Sequence, residues 1–167
     1  SAAEVISKAV MMATENLDKM RSTEGNKLAE DLKMRGRLVR ETVKKIETRA
    51  PMVAKEYKEK LYGRIKELVE DSVAVPEERI LMEAAVFADK SNITEELVRL
   101  DSHMIQLDKI LASSEEPVGK KLDFLVQEMN REANTIGSKS NDMDITSLML
   151  ETKSEIEKIR EQVQNIE

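Results

Sequence analysis

Glu128 and Glu132 stand four residues apart, and His103, the single histidine of the chain, follows Arg99 at the same spacing. Carboxylates one helical turn apart share a face and repel, at about 0.2–0.5 kcal/mol in an isolated helix. Arg131 between them would relieve that repulsion. A divalent cation would do so too, because carboxylate oxygens are its preferred ligands. An imidazole is the side chain that titrates near neutrality unperturbed, which suits a general base or a metal ligand. The same spacings also fit solvated helix faces, and spacing alone leaves the readings open.

The elements that would position these residues are helices. Stepping 100° per residue from Leu122, Leu122, Leu125, Val126, Met129, Ala133 and Ile136 fall on one side, the expected buried face. Gln127, Glu128, Arg131, Asn134 and Thr135 collect on the other, with Glu132 beside them. In the segment before it, Arg99, His103 and Gln106 share an edge next to an apolar stripe of Leu100, Met104 and Leu107.

The same periodicity runs through the rest of the chain. Residues 3–20 carry Val5, Ile6, Ala9, Val10, Ala13, Leu17 and Met20 at helical spacing. Gly25 then suggests a kink, a break or a close packing point. The next helix presents Leu28, Leu32, Val39, Val43 and Ile46, and Pro51 is expected to end or restart it. Val53, Tyr57, Leu61, Ile65 and Leu68 form a third stripe, followed by a boundary at Pro76 with a new helix behind it. Asn92 is expected to cap a helix, with Glu95 closing a capping box. A further helix begins near Pro117. In the last segment Met149, Ile156 and Val163 alternate with Ile145, Thr152, Ile159 and Ile166, a seam of 4-3-4-3 spacing. The expected fold is all-α. Its long helices form an extended hairpin or bundle, with coiled-coil-like packing of the C-terminal helix. Residues 1–75 make long N-terminal helices with a basic stripe, and residues 76–167 carry the polar faces.

Composition agrees and removes several classes of function. Hydrophobic residues make up 40% of the 167 positions but aromatics only 2%, so the core is built from Leu, Ile, Val, Met and Ala. No cysteine is present, which excludes disulfides, thiolate zinc sites and cysteine nucleophiles. No phosphate-binding glycine loop or nucleophile elbow occurs. No apolar run is long enough to span a membrane. The net charge is −6, yet Lys33, Arg35, Arg37, Arg40, Lys44, Lys45 and Arg49 face only Glu41 and Glu47 over one stretch. That stretch is either a solvated face or a stripe that holds phosphates.

Three segments resemble a known family: ADKSNITEELVRLDSH (88–103), EPVGKKLDFLVQEMNREANTIGSKS (116–140) and IEKIREQVQNIE (156–167). With RSTEG (21–25), they look like the C-terminal half of the YicC/YloC family of bacterial endoribonucleases. The resemblance implies a cytoplasmic protein that acts on RNA, requires a divalent cation (Mn²⁺ or Mg²⁺) and forms a ring- or clamp-like hexamer. It also implies an N-terminal sheet-containing domain ahead of the helical part, expected to be absent from this chain. Lys120 stands where arginine is more usual in the family. Resemblance and residue chemistry together nominate Glu128, Glu132 and His103 as catalytic residues and metal ligands, with Glu96 or Asp101 as further carboxylates. Arg99, Arg131 and Lys139 are nominated to neutralise phosphate, and Asn130, Asn134 and Thr135 to bind RNA or orient ligands. Arg35, Arg37, Arg40 and Lys44 are nominated to guide the RNA backbone. The competing readings are an RNA-binding or adaptor module without its own catalysis, and a helical oligomerisation scaffold.

Overall fold

The structure is a computed structural model that describes residues 2–68, 77–113, 118–164 and 166. Five helices are present among these: α1 (Ala2–Leu68), α2 (Glu77–Lys90), α3 (Thr94–Ala112), α4 (Gly119–Lys139) and α5 (Met143–Val163). No strand occurs among the described residues. The expectations at Pro76 and Pro117 lie outside them.

The helices α1, α3, α4 and α5 close a four-membered ring, α1 packing on α3, α3 on α4, α4 on α5, and α5 back on α1. Cross-links fix the directions. Arg35 reaches Glu155 and Arg49 reaches Asp142, so α5 runs antiparallel to α1. Lys139 meets Glu96 and Arg99 faces Glu132, so α4 runs antiparallel to α3. Gly36 packs under Met104 and Leu107 of α3; a Cβ there would lie 3.1 Å from the Met104 methyl. The absent side chain is what lets α1 approach α3 so closely. α2 packs along the later part of α1, where Phe87 stacks on Tyr57 with ring centroids 3.8 Å apart.

One core draws on residues from both sides of position 75. Leu32, Val39 and Ile46 of α1 join Leu100, Met104 and Leu107 of α3, the full apolar stripe of α4 and the seam of α5. Ile145, Met149, Thr152, Ile156, Ile159 and Val163 are all buried, with Ile166 half-buried. The 4-3 seam is therefore used within the chain, against α1 and α4. Each fully buried Leu, Ile or Met contributes about 1.5–3 kcal/mol.

The structure corrects four local expectations. Gly25 neither breaks the helix nor sits at a close packing point: α1 runs through it with open space at its Cβ position. α1 also continues through Pro51. A proline inside a helix forfeits one backbone hydrogen bond, and here the two sides are strapped together. Arg49 donates to both carboxylate oxygens of Glu56, one of them at 2.8 Å, and to Asp142 Oδ2 at 2.8 Å. The apolar residues of positions 5–20 and Leu68 are exposed, because no other described element covers those parts of α1. Finally, α3 starts one residue later than the capping box requires. Ile93 is the cap residue, and the Asn92 side chain accepts from Thr94 N–H at 3.0 Å in a local turn.

The α4–α5 corner is built from three polar residues. Ser140 closes α4, Asn141 takes the left-handed backbone (φ 45°) that asparagine tolerates, and Asp142 caps α5 by accepting from Ile145 N–H at 3.0 Å. No described helix is long and apolar enough to cross a membrane.

A candidate metal and phosphate site between α3 and α4

The antiparallel pairing of α3 and α4 decides which polar residues meet. Opposite-running helices bring His103 level with Glu128 and Glu132, Arg99 level with Glu132, and Glu96 level with Lys139. One imidazole nitrogen and one oxygen from each of Glu128 and Glu132 all lie within 4.8 Å of one another. That spread is about two metal–ligand bonds of roughly 2.1–2.3 Å each. It is the one such cluster among the described residues.

Burial distinguishes this cluster from a solvated acidic face. Glu132 retains 4% of its exposure, while Glu128 and His103 are half-buried. Glu132 makes no hydrogen bond among those described; its nearest cation is Arg99 Nη1 at 3.7 Å, beyond hydrogen-bond reach. His103 Nδ1 is buried with no hydrogen-bond partner. An orphaned buried ring nitrogen is costly unless something satisfies it, and the Glu132 oxygens beside it take no hydrogen bond from the described residues. Two carboxylates and one imidazole form a donor set that suits Mn²⁺ or Mg²⁺ better than a soft ion. The residues present therefore fit a divalent cation.

Around the cluster the charges are arranged in order. Arg131 Nη1 lies 3.9 Å from Glu128 across one turn of α4 and is otherwise exposed. Arg99 is shared: Nη2 donates to Glu95 on its own helix, and Nη1 leans toward Glu132. Further along, Lys139 Nζ donates to Glu96 Oε1 at 2.6 Å, leaving Glu96 Oε2 buried and unpartnered. Burial alone would raise the Glu96 carboxyl, but Lys139, the local backbone and Arg99 together hold it below its ordinary value.

The other nominated residues divide. Thr135 lies on the Glu128–Glu132 edge of α4, its hydroxyl turned back to the Arg131 carbonyl at 3.0 Å. Asn130 sits about 160° around α4 from Glu128 and Glu132, and Asn134 about 120–160°, so the fold does not bring them to the cluster. Asp101 is exposed on the flank of α3 away from His103. Arg35 and Arg40 are ion-paired within the bundle. Arg35 holds Asp31 at 2.8 Å and Glu155 at 3.0 Å; Arg40 holds Asp108 and donates to the Met104 carbonyl at 2.8 Å. Lys33, Arg37, Lys44 and Lys45 remain exposed. This cationic face borders the α1–α3 seam marked by Arg40, whereas Arg99 and His103 face α4, so α3 stands between the two. Glu95, expected to close a capping box, instead holds Arg99; its four-residue spacing from that arginine is the signal for the pair.

An all-helical bundle with a carboxylate–imidazole cluster between two antiparallel helices defines a class: a helical protein whose polar donor set fits a cation. Comparison with known proteins narrows the class. The family model for the C-terminal part of YicC-like endoribonucleases matches residues 46–167. The chain is 51% identical over 163 residues to a probable endoribonuclease YicC of Clostridioides difficile, covering 98% of this chain and 55% of that protein. It is 36% identical over 148 residues to a probable endoribonuclease YicC of Haemophilus influenzae, covering 89% and 50% respectively. The chain belongs to the YicC-like endoribonuclease family, and it spans about half the length of these relatives.

Proposed function

We propose that this chain carries the cleaving face of a divalent-cation-dependent endoribonuclease that hydrolyses RNA phosphodiester bonds. The observation that carries the reading is the meeting of His103, Glu128 and Glu132 within 4.8 Å across two helices, with Glu132 nearly buried and lacking a close partner. The family names of the relatives supply the substrate class.

In this reading Glu128, Glu132 and His103 hold the cation. When bound, such an ion polarises a phosphoryl oxygen and acidifies water. The chain's own groups do the rest. Arg99 and Arg131, beside the cluster, compensate phosphate charge, and their planar guanidinium groups suit two-point binding. Lys139, fixed by Glu96, extends that positive edge along α3 and α4. The exposed Lys33, Arg37 and Lys44 on α1 attract the RNA backbone from the far side of α3. His103 is the only imidazole of the chain, so 2′-hydroxyl attack has no pair of imidazoles to serve as base and acid, and the carboxylate pair beside it supports hydrolysis. RNA as partner, Mn²⁺ or Mg²⁺ as cofactor, a cytoplasmic setting and a homo-oligomer belong to the same reading.

The test is cleavage of end-labelled RNA by the purified chain with Mn²⁺, with Mg²⁺ and with chelator, beside Glu128→Gln and Glu132→Gln. Cation-dependent cutting that both variants lose supports the reading; cutting that persists in both overturns it. 2′,3′-cyclic phosphate ends would replace hydrolysis with hydroxyl attack. The half-length coverage of the relatives favours one alternative, an RNA-binding module whose nuclease lies elsewhere. It is recognised by retained RNA binding with no cleavage under any cation.

A further inference from the structure

Arg99 occupies a position that the proposed cation site does not require, and its positive charge opposes a cation there. Its guanidinium is divided between an exposed carboxylate on its own helix, Glu95, and the nearly buried Glu132 of the cluster. The bond to Glu95 is a true hydrogen bond; the approach to Glu132 stops at 3.7 Å. Glu132 thus has a cation near enough to moderate its charge and too far to satisfy its oxygens. The Arg99 side chain is 54% exposed, so it can leave Glu132 without unpacking the core.

We infer that Arg99 is a built-in counter-ion, holding the place of the divalent cation at Glu132 and turning its free guanidinium edge to a substrate phosphate when that place is filled. The inference rests on the proposed cation site. A divalent ion between Glu128, Glu132 and His103 repels the guanidinium and makes its approach to Glu132 redundant. Glu95 keeps the side chain tethered, so the displaced Nη1 edge stays beside the cluster. Coupling runs in both directions. Arg99 weakens cation binding when RNA is absent, and cation binding releases Arg99 for RNA. Arg99 is in this sense a positioning residue whose effect on metal affinity is opposite in sign to that of a structural support.

The test measures Mn²⁺ binding to the intact chain by electron paramagnetic resonance, together with RNA binding, in Arg99→Gln, Glu95→Gln, the double variant and Glu132→Gln. Arg99→Gln is expected to bind Mn²⁺ about two- to five-fold more tightly, the range of a part-exposed ion pair, while its affinity for RNA in the presence of Mn²⁺ falls. Glu95→Gln frees Arg99 to approach Glu132 and weakens Mn²⁺ binding, and most of that weakening disappears in the double variant. Weaker or unchanged Mn²⁺ binding in Arg99→Gln overturns the counter-ion role while leaving the cation site standing. Unchanged Mn²⁺ binding in Glu132→Gln overturns the site itself, and with it this inference.

Discussion

Arg49 of α1 and Asp142 at the start of α5 are joined by a hydrogen bond of 2.8 Å, and that bond locks the proline-bearing stretch of α1 to the corner where α4 turns into α5. Asp142 does two things there, because it also caps α5 through Ile145 N–H. Arg49 holds the Asp142 carboxyl below the ordinary range, against the opposing effect of burial, with further help from Ile145 N–H. A carboxyl depressed in the folded state contributes stability that is present above its unfolded value, about pH 4, and lost as pH falls toward the folded value. Glu155 behaves alike, held down first by Lys158 and then by Arg35. Urea denaturation between pH 6 and pH 2.5 is therefore expected to show stability falling below about pH 4. Asp142→Asn is expected to be less stable at pH 6, with a shallower fall below pH 4.

Gly36 is where Met104 and Leu107 of α3 press on α1. Gly36→Leu must displace Met104 and Leu107 and is expected to cost about 1–3 kcal/mol. Gly36→Ala sets better helix propensity, worth about 1 kcal/mol, against an approach of 3.1 Å to a flexible methyl, and is expected to change stability little. Denaturation midpoints of the two variants check the pair. An equal loss in both would show that the backbone, not the Met104 methyl, sets the cost.

Tyr57 and Phe87 are two of the four aromatic residues and form the one parallel stack described between α1 and α2. A double-mutant cycle with alanine is expected to give a coupling of about 0.5–1.5 kcal/mol. Coupling near zero would mean that α2 is held by its aliphatic packing alone.

The exposed cations of α1 and the paired ones separate by salt dependence. Replacing Lys33, Arg37 and Lys44 by Gln is expected to reduce the slope of log RNA affinity against log salt by about 0.7 for each phosphate no longer neutralised. Arg35→Gln is expected to lower thermal stability through Glu155 and to leave that slope nearly unchanged. Equal slopes for wild type and the triple variant would remove α1 from the RNA path.

Much of this architecture is legible in the residue order. The apolar stripes of α3, α4 and α5 are buried as their periodicity requires, because each has two neighbours in the ring to meet. The stripe at positions 5–20 has the same periodicity and is exposed, since periodicity records a capacity for burial and not a partner. Pro51 misleads for a related reason: its local cost is offset by Arg49, Glu56 and Asp142, and Asp142 is remote in sequence. At the site, four-residue spacing places Glu128 beside Glu132, but only the antiparallel register of α3 and α4 brings His103 to them. Nor can residue chemistry alone tell Arg40, tied to Asp108, from Arg37, which faces solvent.

The most direct measurement is anomalous diffraction from crystals of this chain soaked in Mn²⁺. A single strong peak is expected between α3 and α4, within bonding distance of Glu128, Glu132 and His103, that vanishes in Glu132→Gln. A peak elsewhere with none at that cluster, or one that survives Glu132→Gln undiminished, would contradict the cation site.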